Sequence, residues 1–393
     1  MIVSLCMAST LCRAAIYSLS EAGGDLVGQL DEVSASAEDT LLDIARHFDL
    51  GYNEIVAANP DIDPWLPTAG ARVVIPSYFI LPSAPRDGIV INLAEMRLYY
   101  FSAEEQDGPT AVDKVMTYPI GIGQEGWSTP EGVTTVTEKI ADPAWTVPDS
   151  IIEDYAREGH VLPKIMPPGP DNPLGNFALR LAMPRFLIHG TNKPFGVGRR
   201  ISHGCIRMYP EDIEELFNHV KVGTRVWIVD QPYKIGVQKG YVMLEAHEPI
   251  TDSGMQSNGN LAQIISTASA IADSRQKNAA SETAMQVALR HSGIPRQITQ
   301  VDNQQDAVTG WVLQLGAFTD MRNAMNLAEK ITSLAVPVSI KARAIDGYCH
   351  VMAGPYETQD SALEDNARLE KSIGLTGKLL PANRYGMIAD CQP

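Results

Sequence analysis

Two short segments gather the side chains best suited to chemistry. The first is Phe186-Leu187-Ile188-His189-Gly190-Thr191-Asn192, and the second is Ser202-His203-Gly204-Cys205-Ile206-Arg207. A thiol with an ordinary pKa of about 8.5 is mostly protonated at neutral pH, and only its thiolate attacks a carbonyl well. An imidazole alongside can take that proton and later return one to a leaving amine. Cys205 as nucleophile and His189 as base are therefore the pair to expect, with acyl transfer as the chemistry. Gly204 lets the backbone pass close to a substrate, so N–H groups around Gly204 and Cys205 could stabilise a tetrahedral oxyanion. Arg207 offers a clamp for a substrate carboxylate.

Residue types alone leave alternatives open. A lone Cys is commonly a buried small hydrophobe and a lone His a hydrogen-bonded structural residue. His189, His203 and Cys205 could instead ligate zinc, although no fourth ligand stands nearby in sequence. The order His before Cys is the reverse of papain-like proteases. Arg207 could equally be a surface charge or part of a structural ion pair.

The elements that must position these residues can be read from pattern. An apolar run delivers His189 at its end, and a Gly-containing turn presents Cys205 ahead of a helix. That helix begins near Pro210 and carries Ile213, Leu216, Phe217 and Val220 on one face. From about residue 87 to 230 the chain is otherwise strands and Pro/Gly-rich loops, including a hairpin from Ile89-Val90-Ile91-Asn92 and Arg97-Leu98-Tyr99-Tyr100-Phe101. Further strands are expected at 133–136 and 177–181, giving a mainly β domain.

Residues 26–77 read as strand, helix, helix, strand. Asp39 and Thr40 suit a helix cap, Leu41, Leu42, Ile44, Ala45 and Phe48 make an apolar stripe, and Val73-Val74-Ile75 is stopped by Pro76. Residues 251–308 are rich in Ser, Ala, Gln, Asn and Thr, a composition that predicts a largely disordered linker with transient helix near 261–272. Beyond it, 309–385 read as βαββαβ, implying a ferredoxin-like α+β unit: a four-stranded sheet with two helices on one face.

Composition narrows the function. A chain of 393 residues predicts several domains. The net charge of −16 repels phosphate backbones and argues against a nucleic-acid partner. No apolar stretch reaches membrane-spanning length. Residues 1–20 have the apolar run and small residues of a secretory leader, without a basic start. Past that leader stand Cys205, Cys349 and Cys391, an odd count that suggests one free thiol and one bridge in an oxidising compartment, or else three reduced thiols, which sequence separation does not distinguish.

His189-Gly190-Thr191 with Ser202-His203-Gly204-Cys205-Ile206-Arg207 resembles the signature of the L,D-transpeptidase catalytic domain, also called YkuD. The likeness extends through Ile89 to Phe101, Pro119-Ile120-Gly121-Ile122-Gly123 and Pro168 to Gly175. Arg207, where other branches carry Asn, resembles Gram-negative members that attach a Braun-type lipoprotein or form 3-3 cross-links. The resemblance implies Cys205 as nucleophile and His189 as base. It gives His203 and Gly204 a part in shaping the site, and Arg207, Ser202 and Gly190 contact with substrate. It implies no cofactor and no metal.

Asp39-Thr40-Leu41, Asn59, Gly70 and Val74-Ile75-Pro76 resemble the glycan-binding LysM module, with Glu38 where that family usually has Gly. Gln314 to Phe318 and Val351 to Tyr356 resemble the SPOR domain, which binds peptide-stripped glycan at division sites. Within that likeness, Cys349 could pair with Cys391. The partners implied are peptidoglycan and a Braun-type lipoprotein, and the place implied is the periplasm, at the septum. Water in place of an amine acceptor would make the same chain a hydrolase; an inert core would leave a wall-binding scaffold.

Overall fold

The computed structural model describes residues 15–19, 25–102, 114–157, 159–250, 261–272, 277–300, 310–318, 321–334, 336, 338–343, 349–382 and 388–390. Its centre is a nine-stranded mixed sheet. Across the sheet the strands run Ala15–Ser18, Lys114–Pro119, Arg97–Ser102, Gly88–Asn92, Arg225–Val229, Gly132–Ala141, Phe177–Leu181, Leu187–His189 and Ile206–Arg207. Two pairings are parallel: Arg225–Val229 with Gly88–Asn92, and Leu187–His189 with Ile206–Arg207. The hairpin 88–102 pairs Ile89 with Tyr100 and Ile91 with Leu98.

Alternation along these strands assigns each residue to one of two cores, because successive side chains of a strand point to opposite faces. Ile89, Ile91, Leu98, Met116 and Tyr118 pack with Ile188, Ile206, Ile213 and Leu216, under the helix Pro210–His219. Val90, Tyr99, Phe101 and Val115 pack on the other side against Leu41, Ile44, Ile55, Val73, Ile75 and Phe79. The central strands are buried on both faces, which explains why they read as nearly continuous apolar runs.

The N-terminal unit is thus fused to the sheet through a shared core. It runs Asp31–Ser34, Leu41–His47, Tyr52–Ala58, Arg72–Ile75, and its two strands pair antiparallel. Thr40 caps the first helix in a reciprocal box with Asp43. Buried Arg97 forks onto Glu54 at 2.7 and 3.0 Å and donates to Asp49 O, so a charge from the sheet fixes the second helix.

Three expectations need correction. Residues 261–272 and 277–300 are not a disordered linker: helices Leu261–Ile271 and Lys277–Ala288 and strand Arg296–Gln300 fold onto the hairpin Tyr233–Gln238/Tyr241–Ala246 as a further small domain. Its core is made of Ala268, Ala284 and Ala288 with Ile264, Ile235, Val242 and Leu244. Alanine spaced four residues apart gives a helix a packing stripe without large side chains, so the composition looks like linker while the pattern does not. The leader cannot run to residue 20 without removing structure, since Ala15–Ser18 pairs with Lys114–Thr117 and Leu19 is buried. The C-terminal sheet has five strands, not four, because Ile388–Asp390 adds to Val338–Arg343.

That sheet runs Lys378–Pro381, Trp311–Phe318, Cys349–Tyr356, Val338–Arg343, Ile388–Asp390, and a core including Leu313, Leu315, Ala324, Ile331, Val351 and Leu369 joins it to helices Met321–Thr332 and Gln359–Ile373. Cys349 is disulfide-bonded. Cys391 lies outside the described residues.

The small domain is tied to the central sheet by a buried charge network. Lys234 Nζ donates to Glu95 Oε2 at 2.6 Å, Glu245 Oε1 at 2.9 Å and Ile80 O at 2.6 Å. Tyr99 donates to Glu95, and His247 Nε2 meets Glu245 at 2.6 Å. Removing one member of a buried pair strands the other charge, at a cost of about 3–5 kcal/mol. Lys234→Met is therefore expected to lower the thermal midpoint of the full chain markedly in calorimetry. An unchanged midpoint would show that the network contributes no net stability.

Candidate active site

His189 ends the strand Leu187–His189, and Ile206–Arg207 lies beside it with Ile188 opposite Ile206 and His189 opposite Arg207. Ile188 and Ile206 face the helix side of the sheet. By alternation His189 and Arg207 face the other side, and the Arg207 charge acts on both His189 and Cys205. The Cys205 thiol donates to Arg185 O at 3.6 Å and receives a hydrogen bond from the Leu187 backbone. His189 thus ends one strand, and Cys205 immediately precedes the strand beside it at the sheet's edge.

His189 is buried, and its Nδ1 lies 2.6 Å from Gly190 O. A carbonyl can only accept, so Nδ1 carries the proton and Nε2 is the basic nitrogen of the neutral ring. Burial first, then the Arg207 charge, pushes the His189 pKa down to about 4, against a smaller upward pull from the Gly190 carbonyl. Burial pushes the Cys205 thiol up, while the Leu187 hydrogen bond and Arg207 partly offset that. At neutral pH the resting site therefore holds a thiol and a neutral imidazole rather than an ion pair.

Arg207 is largely buried, and burial lowers its pKa, with Cys205 and Tyr155 acting in the opposite direction. Its Nε is buried without a hydrogen-bond partner among the described residues. A buried donor without an acceptor is costly, so a guanidinium held this way is suited to receiving an anion.

The turn is braced by its own side chains. Ser202 is buried, and its Oγ donates to Cys205 O at 2.6 Å and accepts from Gly204 N at 3.2 Å, so the hydroxyl supports the turn. Gly204 N–H is consequently engaged, which leaves the Cys205 N–H as the oxyanion donor the turn offers. Gly190 is packed tightly from behind. Alternation puts it on the helix face, where an added Cβ would meet Ile213 at 3.1 Å, and its N–H donates to Phe177 O. His203 is exposed and rests edge-on against Trp127, with ring centroids 5.0 Å apart.

His189, His203 and Cys205 do not converge as a metal site. Among the described residues, the His, Cys and carboxylate atoms close enough to ligate an ion are those of Glu95, Glu245 and His247. The Lys234 ammonium already sits between those two carboxylates.

Residue types alone did not mark several supporting side chains. Thr129, buried, donates to Gly204 O at 2.8 Å and accepts from Gly123 N at 3.2 Å. Asn172, fully buried, donates to Pro143 O at 2.9 Å and accepts from Leu174 N at 2.9 Å, closing the base of the 141–175 excursion. That excursion carries helix Asp149–Arg157, whose Tyr155 is an electrostatic neighbour of Arg207.

The loop between His189 and the cysteine turn is braced by the N-terminal unit. Tyr52 N donates to Val197 O and Asn53 N to Gly198 O, while the Arg199 guanidinium lies 3.6 Å over the Tyr52 ring. Arg46 forks onto Glu211 at 2.7 and 3.0 Å at the start of the following helix.

Comparison with known proteins gives matches over both the central and the C-terminal parts of the chain. The family model described as the L,D-transpeptidase catalytic domain, YkuD, matches residues 86–228, and the SPOR domain model matches 307–378. The probable L,D-transpeptidase ErfK/SrfK of Salmonella typhimurium is 41% identical over 249 residues, covering 62% of this chain and 78% of the relative. The probable L,D-transpeptidase YcfS of Escherichia coli is 42% identical over 246 residues, covering 61% and 75%. Among solved structures, the catalytic domain of the E. faecium L,D-transpeptidase aligns at 24% identity with a TM-score of 0.25, covering 36% of this chain and 95% of that one. The chain belongs to the L,D-transpeptidase family.

Proposed function

We propose that Cys205 carries the transpeptidation by forming a thioester with peptidoglycan stem tetrapeptides, and that His189 moves the protons. The observation that carries this reading is the His189 tautomer: Nδ1–H is committed to Gly190 O, so Nε2 is left as the basic nitrogen, on the strand beside the one that Cys205 precedes. As Cys205 Sγ bonds to the carbonyl carbon of the residue before the terminal D-Ala, the thiol proton passes to Nε2 and an electron pair moves onto the carbonyl oxygen. Collapse of that tetrahedral species breaks the C–N bond, and the departing D-Ala amine takes the proton from His189. A second amine then attacks the thioester and regenerates the thiol. Arg207, with its unpartnered buried Nε, binds a carboxylate of the stem.

The acceptor is a stem amine, giving a 3-3 cross-link, or the Lys of a Braun-type lipoprotein. The βααβ unit at 31–75 is a LysM-like glycan module whose rigid packing on the sheet delivers glycan beside the cysteine. The SPOR domain binds peptidoglycan, and septal periplasm is the place where both binding modules and the reaction have their ligands. Chain removal at the leader would fall before Ala15, sparing the edge strand.

Incubating the full chain with tetrapeptide muropeptides, with and without a lipoprotein-derived Lys peptide, and weighing the products tests the transferase reading. Dimers or Lys adducts with loss of D-Ala are expected. Tripeptides alone would replace it with hydrolysis of the same thioester.

A further inference from the structure

The peptide that carries the oxyanion donor is aimed by a residue outside the cysteine motif. A trans peptide places its C=O and N–H on opposite sides. In the Gly204–Cys205 peptide the C=O points to Thr129 Oγ1 at 2.8 Å, so the Cys205 N–H points the opposite way. Thr129 is itself fixed. It is buried, and its Oγ1 accepts from Gly123 N at 3.2 Å, so the hydroxyl proton is directed at Gly204 O. Gly204 adopts φ +101°, and a Cβ there would meet Phe186 at 2.8 Å. That backbone angle is one only glycine adopts readily, and Ser202 Oγ holds the flanking groups Gly204 N and Cys205 O, leaving Thr129 as the side chain bonded to the carbonyl of the peptide between them. The other N–H of the turn, on Gly204, is taken by Ser202.

We infer that Thr129 is a positioning residue for transpeptidation, holding the Gly204–Cys205 peptide so that the Cys205 N–H meets the oxyanion formed on the attacked carbonyl. This rests on the reading of Cys205 as the acyl-accepting nucleophile. Thr129 acts through the backbone, since its hydroxyl bonds Gly204 O and Gly123 N. Its effect is confined to reactions that build negative charge on a carbonyl oxygen.

Two reactions of the same thiol separate this role from a structural one. Opening of a carbapenem ring proceeds through an oxyanion, whereas alkylation by iodoacetamide displaces iodide at a saturated carbon and forms none. In the full-length chain, Thr129→Val is expected to slow carbapenem acylation about 10- to 100-fold, because a misdirected oxyanion donor forfeits much of its stabilisation. Iodoacetamide alkylation of Cys205 and its pH profile should stay within about twofold, since thiolate formation does not use that donor. Thr129→Ser, which keeps the hydroxyl, should restore most of the acylation rate.

Equal slowing of both reactions would reduce Thr129 to a structural support of the thiol and overturn the inference. So would unchanged acylation in Thr129→Val, or failure of Thr129→Ser to recover it. If the unsubstituted chain is alkylated at Cys205 but never acylated, the nucleophile reading itself fails, and the role of Thr129 falls with it.

Discussion

Cys205→Ala is expected to abolish turnover of tetrapeptide stems and all covalent capture of a carbapenem, while the thermal midpoint stays close to that of the unsubstituted chain. The reason is chemical. The thioester requires a sulfur at this position, and water or a neighbouring hydroxyl cannot occupy it with comparable nucleophilicity. The folding cost is small because Cys205 is only partly buried and its thiol's bonds, a long one to Arg185 O and one from the Leu187 backbone, are those of a weak sulfur partner. Ser202, Gly204 and Thr129 hold the turn through backbone groups that the substitution leaves in place. Intact mass after carbapenem incubation gives the readout. A stable adduct on Cys205→Ala would move the nucleophile elsewhere.

The second large effect is expected at His189. His189→Ala should slow acylation at neutral pH by about 10²–10⁴-fold, the range typical for loss of a positioned general base. The gap should narrow as pH rises, because hydroxide then makes the thiolate that the imidazole otherwise makes. With the folded His189 pKa pushed down to about 4, the ring stays neutral and basic through the mildly acidic range, so the base-dependent acid limb of acylation should lie well below the ordinary histidine value.

The same shift has a sign for stability. Between about pH 4 and the unfolded value of about 6.5 the unfolded chain binds a proton that the folded chain does not, so stability falls as pH drops through that window. His189→Gln should flatten that part of the stability profile in thermal denaturation between pH 7.5 and 4.5. Acylation by His189→Ala equal to that of the unsubstituted chain would reassign the base, with His203 the next candidate.

Much of this site was legible from residue order. The apolar run ending at His189 and the Gly-containing turn before a Pro-initiated helix place the two residues on neighbouring strand ends, as the parallel register of Ile188 with Ile206 shows. What the motif could not convey was the direction of each polar group. The Ser202 hydroxyl bonds Cys205 O and Gly204 N, and the Gly190 N–H bonds Phe177 O, directions that a one-dimensional signature does not display. Thr129 lies far from Cys205 in sequence and meets Gly204 only because Ile122–Gly123 pairs with Arg200–Ser202.

The fold was legible where side chains are large. Ile89, Ile91 and Leu98 declare a strand pair, and Leu41, Ile44 and Ala45 a helix. It was illegible where burial is achieved by alanine. Ala268, Ala284 and Ala288 bury little area each, and composition cannot separate them from a soluble linker until their spacing meets the Tyr233–Gln238 hairpin. Ile16 and Leu19 failed for the opposite reason: at the end of a leader-like run, Ile16 belongs to the edge strand of the central sheet and Leu19, just past it, is buried in the core.

The central claim is a thioester on Cys205 formed by a stem peptide. Mixing the full chain with excess tetrapeptide stem, quenching in acid within one turnover and mapping the adduct by mass spectrometry tests it directly. The account predicts a mass gain equal to the acylating tripeptide, located on the fragment containing Cys205 and lost on treatment with hydroxylamine. No adduct on the unsubstituted chain, or one that persists in Cys205→Ala, would contradict it.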